Sequence, residues 1–268
     1  MTAPAPAELD LAVKLAVDAG DLLLRHRRDG TRGVDTKTTG TDMVSDADRA
    51  AEALIVEGLA ADFPEDGLLG EEGSASRGTS GRTWVVDPLD GTTNFLYGQD
   101  GFCVSIALED EAGAMLGCVH DPLRAETFTA WRGGGSWMND RRLSASSTAS
   151  LAEALVGTGF SYRSDQREWQ ARVVGRLLPR IRDVRRRGAA ALDLCWVGAG
   201  RLDAHVERGL APWDHAAGLL VAAEAGAEVR PVDRSDPWPL VVAAAPGVAE
   251  ALFAEVDGAE AEAGGRPT

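Results

Sequence analysis

Cysteine is scarce in this chain. There are three in 268 residues, and Cys103, Cys118 and Cys195 show neither metal-ligand nor redox spacing. Their odd number argues against a disulfide framework, and their apolar neighbours put all three in the core. The four histidines (His26, His120, His205, His215) are scattered, without the paired spacing of a zinc site. Basic side chains are outnumbered, 27 against 42 acidic ones, which leaves a formal charge of −15. That surplus disfavours nucleic acid or an anionic membrane as the main partner. No apolar run approaches the roughly 20 residues of a membrane span, and the Pro/Ala-rich start lacks a charged-then-apolar signal pattern. The expectation is a soluble cytoplasmic protein, long enough for one large domain or two packed lobes.

What the chain does have is a dense string at residues 83–95, Thr-Trp-Val-Val-Asp-Pro-Leu-Asp-Gly-Thr-Thr-Asn-Phe. Trp84, Val85 and Val86 form a short apolar run that suits a strand covered on both faces. Asp87 follows at its carboxyl end, where open α/β sheets tend to bind ligands. Pro88 biases Asp87 toward an extended conformation and removes a competing N–H. The turn after it lets Asp87 and Asp90 converge on one cation, with the Leu89 carbonyl free to join them. Gly91 permits a close backbone approach, and Thr92-Thr93-Asn94 opens a helix whose unpaired N–H groups suit a phosphate. An Asp-Pro turn leading into a helix cap explains any one of these residues. It does not explain the whole ordered string, because two acids at a buried strand end repel unless a cation joins them. Magnesium takes such hard oxygen ligands, so the segment points to metal-assisted phosphate ester hydrolysis.

Further acids recur at comparable places. Glu71, in Gly70-Glu71-Glu72-Gly73, follows the apolar Leu68-Leu69 and is read either as a surface turn or as a side chain leaving a strand end into a cleft. Asp214 opens an Ala-rich helical stretch bounded by Pro212 and Gly226, so helix cap and metal ligand are both compatible roles. Asp48 precedes another helical stretch, where an acid in the first turn favours the dipole whatever else it does. Glu207 ends an expected strand, Leu202–Glu207, as either a pocket residue or a solvated acid.

Together these strings resemble the inositol monophosphatase family of magnesium-dependent, lithium-sensitive sugar phosphatases. The resemblance is carried by Gly70-Glu71-Glu72, by Asp87-Pro-Leu-Asp-Gly-Thr-Thr-Asn94 and by Trp213-Asp214-x-Ala-Ala-Gly218. Lys37 and Asp42-Met-Val-Ser-Asp-Ala-Asp48 fit a further family element. It spans about residues 8 to 256 and is nearest to the bacterial inositol-1-monophosphatase branch. It implies a five-layer αβαβα sandwich, a homodimer, and two to three Mg2+ ions in each site. Glu71, Asp87 and the Leu89 carbonyl would hold the first ion; Asp87, Asp90 and Asp214 the second; a weaker third would lie near Glu71. Thr92 and Glu71 would orient the attacking water, with Asp48 hydrogen-bonded to the Thr92 hydroxyl. The N–H groups of Gly91 and Thr92 would grip the phosphate. Glu207, with Asp90, Gly188 and Ala190, would meet the rest of a small phosphorylated polyol.

Two departures bear on the substrate. Gly188-Ala189-Ala190 lacks the hydroxyl that the family usually carries there, and His205 and Val206 stand where aromatics commonly precede the pocket Glu. Thr93 favours inositol, because histidinol phosphatases of this fold often have Lys there. The implied reaction is hydrolysis of inositol 1-phosphate. Histidinol phosphate, fructose 1,6-bisphosphate and a nucleotide 3′-phosphate are the alternatives in chemistry, and a transcription or ribosome-assembly interaction protein is the alternative in class.

Hydrophobic periodicity sets out the elements. Leu9 to Leu24 mark an amphipathic helix, and residues 48–61 a second. From Trp84 to Trp137 the pattern is mostly strands, including Phe102–Leu108, Gly117–His120 and Glu126–Trp131, with turns at Gly133–Gly135 and Asn139-Asp140. After Ser150, strands (Ala154–Gly157, Ile181–Val184, Leu202–Glu207, Val241–Ala244) alternate with helices (Asp165–Leu178, Ala190–Ala199, Asp214–Ala225, 247–256). Such an order implies layered α/β sheets. Two lobes, 8–145 and 150–256, would flank the site. Residues 1–7 and 257–268, poor in bulky apolar side chains, read as disordered. The arginines from Arg172 to Arg187 read as a solvated face or a subunit contact, with steering of an anionic substrate as the sharper alternative.

Overall fold

The computed structural model describes residues 6–30, 34–36 and 43–267. Lys37 and Asp42 of the sequence pattern lie outside them. Helix α1 (Ala7–Asp29) turns Leu9, Ala12, Leu15, Ala16, Ala19 and Leu23 to the interior, the stripe its 3.6-residue period predicts. A short antiparallel pair, β1 (Asp35–Thr36) and β2 (Met43–Val44), leads to α2 (Asp46–Asp62), which is capped by Ser45. The α1 and α2 helices pack side by side on one face of a sheet.

That sheet has eight strands: β3 (Gly67–Gly70), β4 (Ala75–Ser76), β5 (Thr83–Asp90), β6 (Cys103–Asp110), β7 (Gly113–Asp121), β8 (Glu126–Trp131), β9 (Gly135–Met138) and β10 (Arg141–Arg142). Their order is β10-β9-β8-β7-β6-β5-β3-β4, with β3 and β5 the parallel pair. Both faces are covered, so the strands carry apolar residues on successive positions. Trp84 and Val86 of β5 face α1 and α2, whereas Val85 faces the other way. Helix α3 (Thr92–Leu96) follows β5 directly.

A second sheet has five strands, β11 (Leu155–Thr158), β12 (Asp183–Arg185), β13 (Ala204–Arg208), β14 (Glu228–Val229) and β15 (Leu240–Ala244), ordered β12-β11-β13-β15-β14. The alternation in β15 shows what covers each face. Val242 and Ala244 pack with α4 (Ser164–Leu177) and α7 (Pro246–Ala263). Val241 and Ala243 pack instead on α5 (Ala190–Gly198) and α6 (Pro212–Glu224). The opposite side of α5 and α6 lies on the first sheet, against Val85, Ala107 and Val119. The sequence of layers is therefore α1/α2, eight strands, α5/α6, five strands, α4/α7: the five-layer αβαβα sandwich. Helices α5 and α6 form a common middle layer between the two sheets.

Small side chains let that middle layer approach closely. A Cβ on Gly117 of β7 would lie 2.8 Å from the Ala217 Cα of α6, and one on Gly218 would lie 2.8 Å from the Ala191 carbonyl of α5.

Several boundaries differ from the sequence reading. The segment from Asp257, read as disordered, continues α7 to Ala263, because Val256, Ala259 and Ala263 keep a buried face and Glu260 pairs with Arg208 at 2.5 Å. Alanine supplies no bulk, but it has the best helix propensity and fits a close contact. Strand β7 begins at Gly113 rather than Gly117, since a tight turn closed by the Ala112 N–H on Asp110 (2.8 Å) returns the chain at once. The strand expected at Ile181–Val184 is Asp183–Arg185, and Ile181 serves the core ahead of it.

Gly117→Val would push α6 off β7 and is expected to cost about 1–3 kcal/mol, the usual range for overpacking. Urea unfolding should show a lower midpoint at unchanged slope; an unchanged midpoint would refute the close-approach account.

Candidate active site

In a regular strand Asp87 and Asp90 would face opposite sides, because side chains alternate with a period of two. Strand β5 does not end at Asp87, as the sequence suggested, but runs on to Asp90 through a change of register. Asp87 is opposite Ser105, and Asp90 is opposite Cys103, so three steps on β5 match two on β6. One extra residue is a β-bulge, and it brings both acids to the same cleft. Pro88 costs no ladder bond there. The Leu89 N–H is held by Asp87 Oδ1 at 2.9 Å.

Gly91 then turns the chain at φ +94°, ψ +33°. A Cβ there would lie 2.6 Å from the Gly101 carbonyl and 3.1 Å from Phe102 Cα, so only glycine fits. Thr92 starts α3 with its hydroxyl 3.1 Å from the Leu89 carbonyl and 3.2 Å from Asp48 Oδ1. The other Asp48 oxygen accepts the Ser45 N–H at 2.9 Å and the Ser45 hydroxyl at 2.5 Å. The two roles considered for Asp48 are thus held at once, one by each oxygen.

Glu71 follows β3, and its N–H donates to the Val86 carbonyl at 3.1 Å, which ties the loop to β5. Glu52, buried on α2, accepts the N–H groups of Glu72 at 2.8 Å and Ser74 at 3.0 Å and pins the same loop from below. Asp214 is the third residue of α6, and its Oδ2 reaches back to the Ala211 N–H at 2.6 Å. The Ser105 hydroxyl donates to the Trp213 carbonyl at 3.2 Å and fastens this helix start to β6.

Glu71, Asp87, Leu89, Asp90, Gly91, Thr92 and Asp214 line one cleft of about 500 Å3, together with Gly188, Ala190 and Glu207. Asp48 lies behind Thr92, fully buried. Burial pushes the Asp87 carboxyl well above the ordinary carboxylate range, with the charges of Glu71, Asp90 and Asp214 and a hydrogen bond to Glu71 adding to it. Asp214 is raised well above its usual value by burial and then by Glu71 and Asp90, against the Ala211 N–H, which lowers it. Asp90 is pushed up to about 7, mainly by burial, although the Ala191 N–H at 2.8 Å opposes the rise. Asp48 is raised by burial and restrained by Ser45.

Acids so arranged fit a hard divalent cation. The donors are all oxygens, which suit Mg2+, Ca2+ or Mn2+ rather than a soft metal. Their raised proton affinity comes first from burial and then from one another's charge, both of which a divalent cation would oppose. Among the described residues no three Asp, Glu, His or Cys side chains close into a finished metal cage. The acids stand around the cleft, and the Asp87–Glu71 hydrogen bond joins two of them through a proton.

The arginine run is not one solvated face. Arg172, Arg176 and Arg185 pair with nearby acids on the surface, but Arg186 lines the cleft and Arg187 stacks on Trp196 at 3.9 Å. Asn94 bonds the Gly101 and Arg187 carbonyls, both at 2.7 Å, so that this turn reaches the site. Residues 158–163, which form one wall, carry no motif that sequence reasoning could use. Glu52 and Asp193 were missed although each had a signal, an acid set among the apolar positions of a helix.

Comparison with known proteins now bears on the geometry. The model of the inositol monophosphatase family matches residues 7–263. The chain belongs to the inositol monophosphatase family. An inositol-1-monophosphatase of Mycobacterium leprae is 43% identical over 237 residues, 84% of this chain and 81% of that protein. A protein of Xylella fastidiosa called Nus factor SuhB is also 43% identical, over 82% of this chain and 80% of its own length. Among solved structures, the Thermotoga maritima IMPase superposes with a TM-score of 0.87 at 33% identity, covering 97% of this chain and all of that one. The Mycobacterium tuberculosis SuhB structure gives 0.80 at 38% identity, over 94% and 96%. Members of the inositol monophosphatase family are metal-dependent phosphatases, and the present chain is a phosphoric monoester hydrolase of that family.

The acids make stability depend on pH when cations are stripped away. Asp90 in the folded chain protonates near 7, against about 4 for an unfolded Asp. Between these values the folded state holds the extra proton, so stability falls as pH rises through about 4 to 7. Asp87 and Asp214 shift in the same direction and add to the loss. A divalent cation competes with those protons and should raise the melting temperature more at pH 8 than at pH 5. Calorimetry with chelator and with added cation would refute this if the two increments were equal.

Proposed function

We propose that this phosphatase hydrolyses inositol 1-phosphate, or a closely similar polyol phosphate, with Mg2+ in the acidic cleft. The observation that carries the reading is the gathering of Glu71, Asp87, Asp90 and Asp214, from three separate stretches of chain, around one cleft that also holds the Thr92 hydroxyl. Glu71, Asp87 and the Leu89 carbonyl would hold one ion and Asp87, Asp90 and Asp214 a second, with a third near Glu71. Bound there, magnesium supplies Lewis acidity to the attacking water and neutralises charge on the departing oxygen.

The remaining work falls to the protein. The Thr92 hydroxyl donates to Asp48, which leaves its lone pairs to accept a hydrogen bond from the attacking water. Glu71 accepts the water's other hydrogen bond, the two acceptors fix the direction of attack, and the proton the water gives up goes to the departing oxygen. The N–H groups of Gly91 and Thr92, at the start of α3, have no partner within that helix and suit the phosphate oxygens. On the far wall Glu207 accepts hydrogen bonds from ring hydroxyls, and Gly188 and Ala190 leave room for the ring. A homodimer in the cytoplasm belongs to the same reading, and the family likeness supports it.

A second reading has its own support. Relatives at 43% and 37% identity are called Nus factor SuhB, which favours a partner in transcription. A pure binding protein has no need of the complete acidic set, so the enzyme is preferred. Phosphate release by pure protein, with and without Mg2+, separates the two, and a panel of phosphate esters ranks inositol 1-phosphate against histidinol phosphate, fructose 1,6-bisphosphate and a nucleotide 3′-phosphate.

Asp87→Asn should reduce magnesium-dependent turnover by at least about a hundredfold, as loss of a ligand shared between ions implies, with circular dichroism unchanged. Retention of activity would remove Asp87 from the role of bridging ligand.

A further inference from the structure

His205 lies in β13 with no exposed surface, between two acids that belong to different elements. Its Nε2 is 3.3 Å from Glu207 Oε2, and its Nδ1 is 4.0 Å from Asp193 Oδ2 of α5. Asp193 is buried too, and its Oδ1 lies 3.6 Å from Arg187 Nε. A row of alternating basic and acidic side chains, Arg187–Asp193–His205–Glu207, thus runs from Trp196 to the cleft wall.

Space has been cleared for it. A Cβ on Gly157 of β11 would lie 3.0 Å from His205 Nδ1 and 3.5 Å from Asp193 Oδ2. One on Gly159 would overlap Glu207 Oε1 at 2.0 Å. Both glycines have ordinary backbone angles, so the room for side chains and not the turn explains them. A buried imidazole beside two carboxylates is expensive unless it is protonated and shared between them. Glu207 and Asp193 both line the cleft, and Glu207 is the member with the more exposed side chain.

We propose that His205, backed by Asp193, is a positioning residue that clamps Glu207 as a rigid acceptor for the hydroxyls of the substrate, and so sets preference for a polyol ring over a plain phosphate ester. The inference rests on the ring-binding reading of Glu207. The His205 Nε2, 3.3 Å from Glu207 Oε2, holds that carboxylate oxygen in place and leaves the other for the cleft. Asp193 faces Nδ1 and keeps a proton there, and Arg187 faces Asp193. The acid that meets substrate is therefore never required to reorganise when a hydroxyl arrives, and preorganisation of this kind acts on affinity for groups remote from the phosphate.

The test is steady-state kinetics of the magnesium-loaded enzyme on inositol 1-phosphate and on glycerol 2-phosphate. His205→Leu should raise KM for inositol 1-phosphate about tenfold, the usual loss for a charge-assisted hydrogen bond, with kcat nearly unchanged and glycerol 2-phosphate within about twofold. His205→Gln, which keeps a donor toward Glu207, should restore most of the difference. If the leucine variant does not fold, Asp193→Asn preserves shape and should move the ratio of the two KM values in the same direction. Glu207→Gln separates the layers of the inference. If it affects both esters equally, the ring-binding reading fails and the positioning role falls with it. If it discriminates between the esters but neither the His205 nor the Asp193 variants do, the positioning role alone is overturned.

Discussion

Four carboxyl groups in one cleft, three of which (Asp87, Asp90 and Asp214) have their proton affinity raised by burial and by neighbouring charge, are the constraint on which the rest of the structure depends. A chain does not gather such groups for stability, since each is costlier to bury beside the others than alone. The cost is met by backbone and packing that leave the acids nowhere else to go. Asp87 is held through Oδ1 by the Leu89 N–H, Asp90 through Oδ2 by the Ala191 N–H, and Asp214 through Oδ2 by the Ala211 N–H. Each is anchored by one oxygen. That pattern fixes a rotamer and keeps a second oxygen for a ligand.

The layered fold makes this arrangement possible. The middle helices belong to both sheets, so α6 can carry Asp214 to β5 only because Gly117 and Ala217 let it lie close to the first sheet. The Ala191 N–H that holds Asp90 comes from α5, the other helix of that layer. A central layer of larger side chains would keep the same topology and lose the site. Small residues in α5 and α6 thus serve chemistry through distance, although none of them touches a reacting atom.

Much of this could be read from the chain. Asp87-Pro-Leu-Asp-Gly-Thr fixes a strand end, a turn and a short helix by local rules, and the structure has all three. The apolar runs gave the core strands for the same reason, because a strand covered on both faces must be apolar throughout. What escaped was set by partners distant in sequence. The bulge that reconciles Asp87 with Asp90 depends on β6, and no property of β5 alone records it. The helix at residues 257–263 is stabilised by α4 and by Arg208, so low bulk was a poor guide to its order. Arg186 and Arg187 belong to the cleft and to Trp196, though their composition matched a solvated surface.

Asp48 and Asp214 each combine a helix-capping contact with a place in or directly behind the cleft. Asp48 caps α2 through one oxygen and meets Thr92 with the other, and Asp214 caps α6 while lining the cleft. A capping acid has its orientation set by a backbone that cannot move without unwinding a helix, which is the rigidity a ligand or an orienting group requires. Sequence rules that score such a residue as a cap are therefore correct and incomplete. An acid at a helix start keeps a second oxygen, and that of Asp48 meets the Thr92 hydroxyl.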